Sequence, residues 1–264
     1  MNIITAFSIE CEIDRNKANE KGFKVVQKSE NTEFGKMDYI ELKRNEKSCM
    51  VFENCGMNNR RSLDKCSIPL FVILEKEKVR NLFLLGFAGS TNKKYSAGSF
   101  LIASDFIDLT KSRPRSFLEL RHPGKIFFYR MAEPYSTYLS AKLKDHAKKN
   151  SVSVFDNIKY AITEGPRFES AAEIGMIKNA GCDAVCLSGI PEVYFCRELG
   201  INFCVGLFVS NMAEGIDQIS NAEILDHAKN DGIKITEIIC NMASDDSMNT
   251  DMSYYGDKYW MQKP

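Results

Sequence analysis

The chain has 264 residues, 35 lysines and arginines against 35 aspartates and glutamates, and 44% apolar residues. That length suits one large α/β domain or two small ones, with enough apolar material for a sizeable core. The even charge balance excludes a bulk electrostatic drive toward nucleic acid or an anionic membrane.

The N-terminus reads "MNIITAFSIECEID". Acids arrive at once with no basic start, which argues against a signal peptide, and no apolar run approaches the roughly 18 residues of a membrane span. Nine cysteines, an odd count, are spread through apolar runs such as "CDAVCLSG" and "INFCVGLF". They are read as buried free thiols in a reducing compartment. A cytoplasmic protein that binds neither nucleic acid nor membrane is expected.

Apolar runs of strand length fall at 3–9, 23–27, 48–53, 81–87, 100–109, 153–162, 184–188 and 201–210. Helical periodicity falls at 63–78, 137–149, 170–180, 191–199 and 222–242. Ser170 with Glu173, and Ser220 with Glu223, have capping-box spacing. Gly181 and Gly200 stand where helices stop, and Pro191 fits a first helical turn. Strands alternating with helices predict one α/β domain with a mostly buried sheet over 1–243. Residues 244–264 lose the pattern and read as a tail, loose or docked through its aromatics.

Ligands of α/β domains gather at the carboxyl ends of strands. Here those ends read "LLGFAGSTN", "TEGPRFES", "VCLSGIPEV" and "FVSNMAEG". Each places a small residue and a polar group just past an apolar run. One glycine after a strand is ordinarily a plain turn; four such ends in one chain are a stronger signal. The last three, together with "GFAGSTNKKYSAGSFLIASDFIDLTKSRP" and "RMAEPYS", resemble the purine nucleoside phosphorylase and methylthioadenosine phosphorylase family. The resemblance runs over about 55–242 and is strongest over 160–215. It implies a single-domain nucleoside phosphorylase-like fold, a mixed central sheet flanked by helices, usually a homotrimer. It also implies cleavage of an N-glycosidic bond of a purine nucleoside, with inorganic phosphate as co-substrate and no other cofactor.

The resemblance assigns Asn211 to the imidazole edge of the purine, where an amide donates to N7 as negative charge grows on the leaving base. It assigns Glu169 to the pyrimidine edge. A carboxylate accepts from N1–H, which guanine and hypoxanthine carry and adenine lacks. Glu169 and Asn211 together therefore favour 6-oxopurines. Phe168 is expected to stack on the base, Ala88 and Gly89 to bring backbone to its other face, and Leu187 to meet the ribose. Ser188 corresponds to a phosphate-binding hydroxyl. Phe128 matches an aromatic that some relatives lend to the neighbouring subunit.

The phosphate ligands depart from the family pattern. Asn54 and Gly56 align with an arginine and a histidine of the relatives, and "AFSIECEID" stands in place of a glycine- and serine-rich loop, resembling instead the acidic start of nucleosidase relatives. Arg60 and Arg61 stand nearby and offer guanidinium groups suited to phosphate. A histidine that contacts the ribose 5′-hydroxyl aligns with Asn221. These departures keep open a nucleoside hydrolase, a methylthioadenosine phosphorylase-like enzyme, and a non-catalytic purine nucleoside-binding protein. "CDAVC" is not read as a metal site: on a strand, residues four apart lie about 13 Å from each other, and the three histidines are scattered.

Overall fold

Five consecutive buried residues, Thr5–Ile9, form β1. In the computed structural model, which describes residues 5–55, 63–217 and 221–249, β1 lies parallel between β4 (Lys47–Phe52) and β5 (Asn81–Ser90). On the far side of β4, β3 (Gly35–Arg44) and β2 (Lys24–Thr32) complete a four-strand extension by antiparallel pairing. β5 also pairs in parallel with β9 (Asn202–Met212), and β9 runs antiparallel to β6 (Phe100–Asp108). From β6 the sheet continues in parallel through β7 (Val154–Ile162) to β8 (Ala184–Cys186). β8 then returns antiparallel to β5, through Gly89 with Val185 and Ser90 with Ala184. β5, β8, β7, β6 and β9 thus close into a ring, from which the remaining strands of the nine-stranded sheet extend.

The mixed sheet flanked by helices agrees with the expected architecture. Alternation along the strands divides most of the core in two, beside a smaller cluster of Ala161, Ile174, Ile177 and Val185. Ala6, Leu82 and Leu84 pack with Leu70 and Phe71 of α2 (Leu63–Lys76), Phe117 of α3 (Phe117–Arg121) and Phe195 of α6 (Glu192–Leu199). Their strand neighbours Phe7, Phe83 and Leu85 point the other way. They pack against Leu139 and Leu143 of α4 (Thr137–Lys148) and Ile235 and Ile239 of α7 (Asn221–Ala243). α1 (Arg15–Glu20) joins the second layer through Ala18. Beyond α7, Tyr138 donates to the Ser247 carbonyl at 2.8 Å, and Asn81 Nδ2 to the Met248 carbonyl at 3.1 Å.

Several predicted boundaries change. The strand expected at 23–27 continues to Thr32 and turns into β3, which the sequence reading did not anticipate. β2 is largely exposed, so its residues carry little apolar periodicity. α1 and α3 are too short for a helical period to emerge. β8 stops at Cys186, leaving Leu187 and Ser188 in the following turn. The capping box of Ser170 and Glu173 forms as expected at the start of α5 (Ala171–Asn179). Ser220 lies outside the described residues.

Candidate active site

The turn between β7 and α5 is built by its own polar residues. Arg167 donates to both carboxylate oxygens of Glu173, at 2.8 and 2.7 Å. The Ser170 backbone N–H also donates to Glu173 at 2.7 Å. The Arg167 hydrogen bond, with that of Ser170, holds the Glu173 carboxyl down at about 2. Glu164 accepts from Ser112 Oγ at 2.9 Å and from the backbone of Lys111 and Ser112.

Arg113, 5% exposed, sends Nη1 to the Ile190 carbonyl at 2.8 Å and Nη2 to the Thr163 carbonyl at 3.0 Å. It thereby fastens this turn to the one after β8. Both turns contain a cis proline peptide, Gly165–Pro166 and Ile190–Pro191. The charged residues Glu164, Arg167 and Glu173 thus shape the turn, while Phe168 and Glu169 face a cavity of about 140 Å³.

Ala88, Gly89, Phe168, Glu169, Leu187 and Asn211 all line that cavity. Glu169 is buried, and its Oε1 accepts from Thr163 Oγ1 at 2.5 Å. Phe168 is 60% exposed, at the rim. The β5–β9 register shifts between Ala88 and Gly89, so that Gly89 pairs with Asn211 and Ser210 is extra. Such an insertion re-aims the side chains beside it. The Asn211 amide accepts from Ser210 Oγ at 2.8 Å and donates to the Met212 carbonyl at 2.9 Å. A Cβ on Gly89 would lie 3.4 Å from Asn211 Nδ2, so backbone and amide meet closely there. α7 adds an apolar wall of Ile224, Leu225 and Ala228.

The expected phosphate ligands have a different setting. Ser188 is buried and donates its hydroxyl to Oε1 of Glu10, whose Oε2 accepts from the Phe87 backbone N–H at 2.8 Å. Glu10 lines the cavity and was absent from the candidate residues drawn from the sequence. Burial pushes its carboxyl up to about 7, against the Ser188 and Phe87 hydrogen bonds that favour the charged form. Its sequence signal is position alone: an acid directly after a fully buried strand, at the carboxyl end where ligands gather.

Among the described residues, no lysine, arginine or histidine lines the cavity. Arg60, Arg61 and Gly56 lie outside the described residues. Asn54 donates to Glu12 at 3.3 Å. Phe128 is 57% exposed and does not line the cavity of its own chain. Among the described residues no cluster suited to a metal ion occurs, and no helix is long and apolar enough to cross a membrane.

A family model described as the phosphorylase superfamily matches residues 3–244. A protein of Moorella thermoacetica, named "Probable 6-oxopurine nucleoside phosphorylase", is 34% identical over 63% of this chain and 64% of its own length. The chain thus spans just under two thirds of that relative. A protein of Methanocaldococcus jannaschii, named "Probable S-methyl-5'-thioinosine phosphorylase", is 32% identical over 79% of this chain and 81% of its own length. A crystal structure of a methylthioadenosine phosphorylase from an antarctic soil metagenomic library superposes with a TM-score of 0.81. It covers 98% of this chain and 93% of that one at 16% identity, a likeness of fold.

Proposed function

Because the chain belongs to the phosphorylase superfamily, we propose that it splits 6-oxopurine nucleosides with inorganic phosphate, giving free base and pentose 1-phosphate. The observation that carries this reading is the meeting of Phe168, Glu169 and Asn211 in one cavity. Phe168 offers a ring face to the base. The Glu169 carboxylate accepts from N1–H, and the Asn211 amide donates toward N7. The N7 bond strengthens as the glycosidic electrons move onto the purine, so it lowers the barrier rather than merely holding the substrate. The two named relatives support the base class, since inosine and its 5′-thio derivative both carry a 6-oxopurine.

The wall of Ile224, Leu225 and Ala228 suits an apolar 5′ substituent, so 5′-methylthioinosine belongs in the substrate panel with inosine and guanosine. Assembly as a homotrimer and a cytoplasmic location complete the proposal. The exposure of Phe128 at 57% and Ile126 at 72% supports a subunit contact there.

The second reading is hydrolysis. It is favoured by Glu10, a buried carboxyl in a cavity whose described lining lacks a cation. Incubating each nucleoside with and without phosphate, and separating base, free sugar and sugar phosphate, tests both. Base and sugar phosphate formed only with phosphate support phosphorolysis. Base and free sugar formed regardless of phosphate would replace it with hydrolysis. Release of base from none of them would leave a binding protein.

A further inference from the structure

The cavity brings Glu10, Glu169 and Glu214 together, with no cation among its described lining residues. Glu169 and Asn211 match the edges of a 6-oxopurine. Glu10, backed by Ser188, is then left for the end of the cavity where the acceptor of the pentosyl group must sit. The fold is shaped to hold this carboxyl. A Cβ on Gly86 would come within 2.5 Å of the Glu10 Cδ and 2.6 Å of its Oε2, so β5 leaves its place open. The Phe87 amide and the Ser188 hydroxyl are both aimed at it.

Other groups that act on Glu10 are Glu192 of α6, Arg113 from the segment after β6, the Tyr160 phenol of β7, and the thiols of Cys11 and Cys186. The Arg113 Nη groups are bonded to backbone carbonyls rather than to Glu10. An anionic acceptor therefore meets a buried carboxylate to which no cation among the described residues is bonded, and like charges at close range exclude each other.

We propose that Glu10 couples binding of the anionic acceptor to the uptake of one proton from solvent. Phosphate enters when the Glu10 carboxyl is protonated. The carboxylic acid then donates to a phosphate oxygen, and the Ser188 hydroxyl, released from Glu10, turns to donate to another. The raised carboxyl, near 7, places this exchange at neutral pH. The inference rests on the phosphorolytic reading of the cavity.

The test is calorimetric binding of sulfate and of phosphate to the full chain from about pH 6 to 8.5. Sulfate stays a dianion throughout, so it isolates the protein's proton from that of phosphate. In the wild type the sulfate dissociation constant is expected to rise about tenfold per pH unit above about 7. Heats in buffers of different ionisation enthalpy should show proton uptake on binding at pH 8. In Glu10→Gln the pH dependence should vanish. Ser188→Ala removes a hydrogen bond to the charged form, so the midpoint should move to higher pH.

A wild-type sulfate affinity flat with pH would overturn the proposal. So would a Gln variant that titrates like the wild type, or the absence of sulfate and phosphate binding at every pH. Base release, measured separately, reports on the phosphorolytic reading. Phosphate-dependent cleavage with flat sulfate binding sinks only the coupling. Proton-coupled sulfate binding without cleavage sinks only the reading.

Discussion

The Ser188 hydroxyl donates to the Glu10 carboxylate, so the turn after β8 is joined to the end of β1 inside the protein. The bond connects the ring of strands to the extension of the sheet. It also fixes which groups of the cavity are free to meet a ligand.

A pH dependence of stability follows from Glu10. Folding lifts its carboxyl from the ordinary 4.5 to about 7. Between those values the folded chain binds more protons than the unfolded one, so stability falls as pH rises. The contribution is complete below about 4.5 and lost above about 7, and it amounts to about 3 kcal/mol. Urea unfolding at pH 5 and pH 8 should show this loss in the wild type and not in Glu10→Gln. Equal pH slopes for the two proteins would refute it.

Asn211→Ala should lower kcat for inosine by about 10²- to 10³-fold, the usual cost of one hydrogen bond that strengthens in the transition state. KM should change far less. Steady-state base release measures both, and an unchanged kcat would remove Asn211 from the chemistry.

Glu169→Gln exchanges a charged acceptor for a neutral amide. A hydrogen bond to a charged group is worth about 1.5–3 kcal/mol, so kcat/KM for inosine should fall by about ten- to a hundredfold. Adenosine, which has no N1–H, should be affected less. The inosine-to-adenosine ratio is the readout, and a ratio that stays put would place Glu169 in a structural role with Thr163.

Arg113→Ala leaves the Ile190 and Thr163 carbonyls without their guanidinium donor in a buried setting. About 2–5 kcal/mol of stability should be lost, with a raised KM because both turns lining the cavity loosen. Arg113→Lys keeps the charge without the planar fork and should fall in between. Chemical denaturation with parallel kinetics separates the two effects.

These cavity-lining residues were legible because their turns depart from plain loop chemistry at strand ends: Phe168 and Glu169 after β7, Asn211 at the end of β9. The capping box of Ser170 showed for the same reason, since its spacing is local. Glu10 was legible only as part of an acidic start: "AFSIECEID" stood out as a stretch, but its spacing does not say which acid turns inward, and only the fold reveals Gly86, Phe87 and Ser188 closing around Glu10. β3 escaped notice because it pairs with the exposed β2, where polar residues blur the alternation. Ring closure was equally hidden. It depends on β5 pairing with both β8 and β9, a long-range relation with no local spacing.

Glu169 and Asn211 belong to the ring, following β7 and ending β9, whereas Glu10 follows β1, a strand of the extension. On the roles proposed above, recognition of the leaving group and treatment of the incoming one fall to separable parts of the chain. A redesign confined to the end of β1 can alter acceptor chemistry without rebuilding base selectivity. The natural divergence of such enzymes has the same route open to it: a change of one short segment, on a scaffold whose ring stays as it is.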